Sequence, residues 1–264
     1  MKKDEKKLLQ HFASGEKGFV EKIIDLCYQV EETYSYRLTS FCNPKQEEIV
    51  HSIAAYFQLQ AFSSRDFVET EFSRIILAPT YYELDSQDYD IMALEILYPK
   101  KFHSISHSQV LGILLNQLGM KRQFLGDILI DDTQALVFID RKFGLLAQSQ
   151  IAKIGKAPIK WQELDWRELR LASPEEGKRQ EVLLSSLRLD KFVALAFRLS
   201  RGNAVKLISN NQVKVDYVET NQVAKSIELG QLISVRGFGR VRFKEMLGFS
   251  KQGKYKIVIK VFKK

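Results

Sequence analysis

The sequence predicts an α+β protein of 264 residues that is built from three successive parts. Apolar residues recur at helical spacing near the N-terminus, strand-like and helix-like segments alternate in the middle, and a basic helix–strand module follows. We place these parts at residues 1–72, 73–166 and 181–264, with a linker at 167–180. A chain of this length is expected to hold two or three small domains.

Charge is distributed unevenly along the chain. Residues 176–264 contain 19 Lys and Arg residues against 7 Asp and Glu residues, a net charge of +12, whereas residues 1–175 carry −4. Such segregation indicates a polyanionic partner for the basic end, with a merely solubilising surface as the alternative.

The sequence favours a cytoplasmic protein with no membrane contact. No apolar run reaches the roughly 18 residues of a membrane span, and the first residues lack the pattern of a secretory signal. Cys27 and Cys42 show no CxxC spacing, which is typical of structural cysteines in a reducing compartment.

The N-terminal part is predicted to be helical. Ile23, Cys27 and Val30 recur at helical spacing in a first helix. In a second helix, Asn43 is a suitable N-cap, Pro44 suits the first position and Gln46 completes a capping box. These features indicate a scaffold rather than a chemical site.

The middle part alternates strands and helices in the split βαβ order. Strands are expected at RIILAP, IMALEILYP, GDILI and QALVFID, with helices near 106–118 and 141–151 and a last strand near 157–164. RNA-recognition (RRM) domains use this order. Their aromatic RNA-binding strand pattern is missing, however, and Phe138 is expected to be a core residue.

Candidate sites in the middle part are few. Lys121 and Arg122 follow the helix stop at Gly119 and are a second candidate RNA contact, with a solvated loop as the alternative. His103 and His107 are four residues apart, but neither an HExxH pattern nor a third ligand accompanies them. We therefore expect neither a metal site nor a cofactor.

The C-terminal part combines an apolar helix face with basic residues. Leu189, Phe192, Val193 and Ala196 share one face of a predicted helix. Ser200 is expected to cap a second helix, whose free N–H groups favour an anion. The candidate RNA contacts are Arg188, Lys191, Arg198, Ser200, Arg201, Lys206, Lys214, Arg236 and Arg240. The Lys-rich tail, KYKIVIKVFKK, is expected to be an edge strand.

The run RLDKFVALAFRLSRGNAVKLISNNQVKVD, followed by GQLISVRG, resembles the S-four RNA-binding domain. The family's Arg-Leu-Asp start corresponds to residues 188–190 and its Ser-Arg turn to residues 200–201. Asn211 replaces a family glycine, and Asp216-Tyr217 replaces an Asn-Gly hairpin turn. The resemblance implies RNA binding through the basic face, and it leaves the shape of the hairpin open.

Nearly the whole chain is similar to the YlmH family of bacterial S-four proteins, through FCNPKQEEI, APTYY and LEILYPKKFHSISHSQVLGILLNQLGMKRQFLGDILI. This resemblance implies a non-catalytic protein that binds rRNA or tRNA on the large ribosomal subunit carrying stalled peptidyl-tRNA, in ribosome quality control. We expect the protein to be a monomer. A role in cell division has also been proposed for this family, so the resemblance extends that expectation to this protein. Ser108-Gln109 stands where the family often has Arg-Asp, which puts one middle-domain RNA contact in doubt.

Two other classes of function remain as alternatives. A pseudouridine synthase needs a catalytic Asp in its own core sheet, whereas the Arg-Leu-Asp run here already belongs to the basic module. Synthetase signatures, a P-loop, a dinucleotide fingerprint and a Ser/His/Asp order are all missing, so no small-molecule substrate is expected. A cell-division adaptor that binds protein or DNA is the remaining alternative.

Overall fold

A computed structural model describes residue 12 and residues 14–169, 171 and 177–263 of the chain. Within it the chain divides into two compact units, at residues 1–172 and 173–264. Part of the predicted linker, at residues 170 and 172–176, lies outside the described residues.

Both units mix helices with antiparallel sheets, which confirms the α+β class. The α-helices are α1 (Lys17–Thr33), α2 (Pro44–Tyr56), α3 (His107–Gln117), α4 (Arg141–Gln150), α5 (Leu189–Phe197) and α6 (Arg201–Ser209). The strands of the first unit are β1 (Arg37–Leu38), β2 (Gln60–Ser63), β3 (Ile75–Ala78), β4 (Ile91–Leu97), β5 (Leu125–Ile130), β6 (Ala135–Asp140), β7 (Lys153–Ile154), β8 (Ala157–Pro158) and β9 (Lys160–Leu164). Those of the second unit are β10 (Lys178–Leu184), β11 (Val213–Val215), β12 (Val218–Glu219), β13 (Leu232–Val235), β14 (Gly239–Phe249) and β15 (Tyr255–Lys263).

The N-terminal region packs two helices on a small sheet of order β1-β3-β2. The predicted capping box is present, because Asn43 accepts from the N–H of Gln46 and the Gln46 side chain accepts from the N–H of Asn43. The strand predicted at RIILAP forms as β3, yet it pairs with β1 and β2 of the N-terminal region. The region is therefore not purely helical.

The middle region contains a four-stranded antiparallel sheet of order β5-β6-β4-β9. Helices α3 and α4 cover one face, where alternate strand residues such as Leu94, Val137 and Ile139 are fully buried. The predicted order of elements is found, with the short ribbon β7–β8 inserted before β9. Helix α3 has the predicted stop, since Gly119 adopts a φ of +58° directly after the C-cap Leu118.

The other face of this middle sheet is covered by the N-terminal region. Ala93 and Phe138 lie on that face, and they pack in one cluster with Ile76 of β3, Phe41 and Trp166. Phe138 is 2% exposed, as expected of a core residue. The four-stranded sheet is thus buried on both sides.

Buried polar groups connect the two regions of the first unit. The Arg74 guanidinium donates to Asp140 at 3.1 Å and to the carbonyls of Thr39 and Asp90 at 3.1 and 3.0 Å. The Asp127 carboxylate accepts from the main-chain N–H groups of Glu71 and Phe72 at 2.6 and 3.0 Å. A buried charge is tolerated when hydrogen bonds satisfy it in this way.

The second unit has a six-stranded antiparallel sheet of order β10-β15-β14-β13-β11-β12, with α5 and α6 on one face. The tail strand β15 lies between β10 and β14, so the prediction of an edge strand was wrong. The reason is that residues 178–184, whose charged start was interpreted as linker up to residue 180, form strand β10 and pair with β15 along its length.

Candidate nucleic-acid interface

The helix pair α5–α6 is built as its sequence predicts. Leu189, Phe192 and Val193 are fully buried against the sheet. Arg198 ends α5 with a left-handed φ of 54°, and Ser200 then caps α6 by accepting from the N–H of Asn203 at 3.2 Å. The tight turn between the helices brings the basic residues of both helices close together.

We call the resulting hollow the basic depression. Its volume is about 600 Å³, and it lies between the helix pair, the end of β10 at Leu184 and the β14–β15 turn at Lys254. Four cationic side chains line it: Lys191, Arg198, Arg201 and Lys254. Its remaining lining is largely apolar, from Leu183, Leu184, Ser185, Ala194, Leu195 and Leu199. Cations around an apolar floor suit a ligand with both phosphates and flat apolar surfaces.

Asp190 fixes two of the predicted RNA contacts. Its side chain is fully buried, and it accepts from Nε of Arg188 at 3.0 Å and Nε of Arg201 at 2.9 Å. Burial alone raises the pKa of Asp190, but the hydrogen bonds from Arg188 and Arg201 outweigh it and hold the pKa below its usual value. The carboxylate also raises the pKa of Arg188. Both guanidinium groups stay partly exposed, so each keeps donors for a second anion.

The register of the sheet places Lys214 and Arg240 elsewhere. Val213 and Val215 point into the core below the helices, so Lys214 between them points to the opposite face of the sheet. Ser234 pairs with both Lys214 and Arg240, and directly opposed residues share a face. These two predicted contacts therefore lie on the sheet face opposite the helix pair.

The remaining predicted contacts occupy the rims. Lys206 is exposed on α6, and Arg236 is exposed at the β13–β14 turn, where Gly237 adopts a φ of +85°. Thus the structure brings Arg188, Lys191, Arg198 and Arg201 together near one depression, while it distributes the others over the unit.

Lys254 is a functional candidate that sequence reasoning missed. It lines the basic depression although it comes 45 residues after Ser209, the last residue of the helix pair. The only sequence signal is its position in a lysine-rich tail, and the pairing of β10 with β15 is what brings it to this site.

The middle region offers a weaker candidate contact at Lys121 and Arg122. Lys121 is exposed. The Arg122 guanidinium lies over the Phe72 ring at 4.7 Å and donates to the carbonyls of Leu125 and Gly126, so several of its donors are already used. Arg122 thus helps to hold the N-terminal and middle regions together.

A second hollow, of about 620 Å³, lies in the first unit, and both arginines that line it are already paired. Arg141 pairs with Glu163 at 3.3 Å, and Arg167 pairs with Asp165. This mixed lining gives little attraction for a polyanion. Among the described residues, no cluster of three metal-ligating side chains occurs, and no helix is long and apolar enough to cross a membrane.

The fold and the basic depression define the class of the protein: an α+β chain whose C-terminal unit presents a surface suited to a polyanion. Two family models match the preceding residues. "YlmH, N-terminal" matches residues 15–82, and "Putative RNA-binding domain in YlmH" matches residues 85–168. The boundary between them follows β3, in agreement with the pairing of that strand.

The chain is 28% identical to "Ribosome-associated protein quality control protein P2" of Bacillus subtilis (strain 168), over 95% of this chain and 96% of the relative. It is also similar to a solved structure, "Cell division protein ylmH from Streptococcus pneumoniae", with 36% identity and a TM-score of 0.54. That match covers 60% of this chain and 96% of the solved one. The chain therefore belongs to the YlmH family.

Proposed function

We propose that this protein is a non-catalytic RNA-binding protein that engages structured rRNA or tRNA on the ribosome. We propose further that its target is the large subunit carrying stalled peptidyl-tRNA, in ribosome quality control. The observation that carries the proposal is the convergence of Lys191, Arg198, Arg201 and Lys254 around one depression of a unit with strong positive charge. The name of the Bacillus subtilis relative supports ribosome association.

We also propose that the C-terminal unit is an S-four-type RNA-binding domain and that the middle region is RRM-like. The capped helix pair with Arg198 and Ser200, followed by strand β11, supports the first assignment. The βαββαβ order and the sheet order β5-β6-β4-β9 support the second.

We infer that the middle region contacts RNA through an edge rather than through the sheet face. RRM domains stack bases on the sheet face that lies away from their helices. Here Phe138 and Ala93 of that face are packed against the N-terminal region. Lys121, with Arg122 behind it, remains the candidate contact in this part of the chain.

The proposed mechanism is positional. Cationic side chains contact phosphates and fix the orientation of the protein on folded RNA, without a cofactor or a small-molecule substrate. The protein acts as a monomer in the cytoplasm. The geometry of Asp190 argues against a pseudouridine synthase, because its carboxylate is fully buried and pairs with two arginines.

Co-sedimentation of the full chain with separated ribosomal subunits, at increasing salt, tests this proposal. We expect association with the large subunit and an affinity that falls about a thousandfold or more between low and moderate salt, if about six phosphates are engaged. Crosslinking then identifies the RNA element that is bound. A nearly flat salt response, or no association with any ribosomal species, contradicts the proposal.

A cell-division adaptor is the second candidate function, and the name of the Streptococcus pneumoniae protein favours it. The same sedimentation experiment separates the two. An adaptor that binds a protein of the division machinery is recovered with that protein from ribosome-free fractions, and its recovery depends little on nuclease treatment.

A further inference from the structure

The free end of the β14–β15 hairpin carries a pair of aromatic rings. Phe249 is 67% exposed, and its ring centroid lies 5.0 Å from that of Tyr255, with 47° between the ring planes. Tyr255 packs against the core of the unit, so one ring of the pair is held firmly while the other is presented to solvent.

The register places this pair on the same face of the sheet as the helix pair α5–α6. Phe249 is directly opposite Tyr255, and Tyr255 continues the alternation of Ile257 and Ile259, which lie beneath the helices. The pairing register between β14 and β15 shifts twice before Phe249, between Phe243 and Glu245 and between Met246 and Gly248. Irregularities of this kind bend a strand and redirect its side chains. The direction of the Phe249 side chain therefore depends on the local backbone of the hairpin.

The turn beyond the pair is ordered by Ser250. Its hydroxyl accepts from the N–H groups of Gln252 and Lys254 at 3.3 and 3.1 Å, and its main-chain N–H donates to the carbonyl of Lys254 at 2.8 Å. Lys254, which precedes Tyr255, is thus held beside the aromatic pair.

The aromatic pair adjoins the basic depression. Lys254 lines that depression, and so does Leu184, which is paired with Tyr255 across β10 and β15. Lys251 and Lys254 lie in the turn that joins Phe249 to Tyr255, and residues 246–264 contain no Asp or Glu. Exposed aromatic surface between cations complements a base that is flanked by phosphates.

We propose that Phe249, supported by Tyr255, is a stacking platform for an unpaired RNA base whose neighbouring phosphates lie in the basic depression. The protein then recognises the junction between a duplex and an unpaired nucleotide. This inference rests on the proposed RNA-binding function, since it assigns a second element of recognition to the same surface.

The test uses two synthetic RNAs and the full chain, with binding measured by fluorescence anisotropy. One RNA is a blunt duplex, and the other is the same duplex with a three-nucleotide unpaired adenine extension. We expect the wild-type chain to bind the extended RNA about 5- to 150-fold more tightly, which is the range for stacking of one base on an aromatic side chain. Phe249→Ala is expected to remove this preference while it leaves blunt-duplex binding unchanged.

Matched variants distinguish stacking from a general apolar contact. Phe249→Trp is expected to retain the preference and Phe249→Leu to lose it, because only a ring presents a flat π-surface. Phe102→Ala is the control, since Phe102 is 75% exposed in the other unit and has Lys101 beside its ring. Its removal is expected to change neither affinity.

The outcomes separate this inference from the proposed function. Failure to bind the blunt duplex in a salt-dependent manner contradicts the RNA-binding proposal and, with it, the platform. Equal affinity of the wild-type chain for both RNAs, or full preference in Phe249→Leu, overturns the platform alone. The second result would show that the preference comes from an apolar contact of the side chain with the extension, without ring stacking.

Discussion

The two larger sheets of this protein are alike on one face, which is covered by helices, and differ on the other face. Each carries two helices on one face, α3 and α4 in the middle region and α5 and α6 in the C-terminal unit. The second face of the middle sheet is packed against the N-terminal region around Phe138. The second face of the C-terminal sheet carries charged side chains, including Lys214 and Arg240.

This difference shows that topology alone does not identify a binding surface. The middle region has the strand order of RNA-recognition domains, yet its sheet face serves as internal core of the first unit. The positive charge and the basic depression lie in the other unit. We therefore assign RNA binding mainly to the C-terminal unit, and variants of each sheet can test the assignment.

The largest effect is expected for Phe138→Ala in the covered face of the middle sheet. Removing a fully buried ring leaves a cavity, and such changes typically cost about 3–5 kcal/mol of unfolding free energy. Both tryptophans of the chain, Trp161 and Trp166, are in the first unit, so urea unfolding followed by Trp fluorescence reports on that unit.

The control for this variant is Phe102→Ala, which removes an exposed ring from the same unit and is expected to change stability by less than about 0.5 kcal/mol. RNA affinity of the folded Phe138→Ala protein is expected to stay at the wild-type value. A selective loss of RNA binding without loss of stability would show that the middle sheet face contacts RNA after all.

The next effect is expected for the double variant Lys191→Ala and Arg198→Ala in the basic depression. Each side chain contributes a charge-assisted contact, so we expect affinity for ribosomal RNA to fall roughly 10- to 100-fold and the salt dependence to decrease by about two phosphate contacts. Filter binding at several salt concentrations measures both quantities.

The matched control for that variant is Lys153→Ala with Lys156→Ala, which removes two exposed lysines from the first unit. It lowers the net charge by the same amount, so equal losses of affinity in the two double variants would mean that only total charge matters. Retained affinity in the control assigns the effect to the depression.

Local signals predicted the helices of this fold better than its pairings. The Asn43–Gln46 capping box and the outward position of Lys214 follow from short-range chemistry, and both are found. Strands β1 and β2 have two and four residues, too few for the period-2 pattern to repeat. Strand β10 begins with charged residues, and only pairing with β15 about 80 residues later makes it a strand.

The candidate site shows the same limit. Basic residue types and helix periodicity identified Lys191, Arg198 and Arg201, which do meet in one depression. The contribution of Lys254 depends on long-range strand pairing, and so does the separation of Lys214 and Arg240 onto the other sheet face. The full burial of Asp190 was also missed, because it depends on pairing with Arg201, which comes 11 residues later in the chain.

Asp190→Asn separates stability from RNA affinity in the C-terminal unit. The amide keeps the shape of the side chain but loses its charged hydrogen bonds to Arg188 and Arg201, so we expect a loss of about 1–2 kcal/mol in unfolding free energy. The freed guanidinium groups are expected to maintain or increase RNA affinity. Circular dichroism during urea unfolding and filter binding measure the two effects, and a fall in affinity at full stability would instead indicate a direct role for Asp190.

The smallest effect is a pH dependence of the stability of the first unit. Burial raises the pKa of Asp127 to about 6, although the N–H groups of Glu71 and Phe72 oppose this shift. Because the folded pKa lies above the unfolded value of about 3.9, the stabilising contribution is complete below pH 3.9 and is lost as the pH rises through 6. The first unit should therefore gain about 1 kcal/mol of stability between pH 7 and pH 5.

Asp127→Asn isolates this contribution, because the amide keeps the shape of the side chain but does not titrate. Urea unfolding followed by Trp fluorescence at several pH values gives the unfolding free energies of the wild type and the variant. The difference between these two free energies is expected to change by about 1 kcal/mol between pH 7 and pH 5. A difference that stays constant with pH would mean that the carboxylate is as well solvated as in the unfolded chain. The contact between the N-terminal region and the middle sheet would then be looser around Asp127 than the burial of Asp127 indicates. The second face of the middle sheet would, to that extent, be less fully covered, and it would differ less from the second face of the C-terminal sheet.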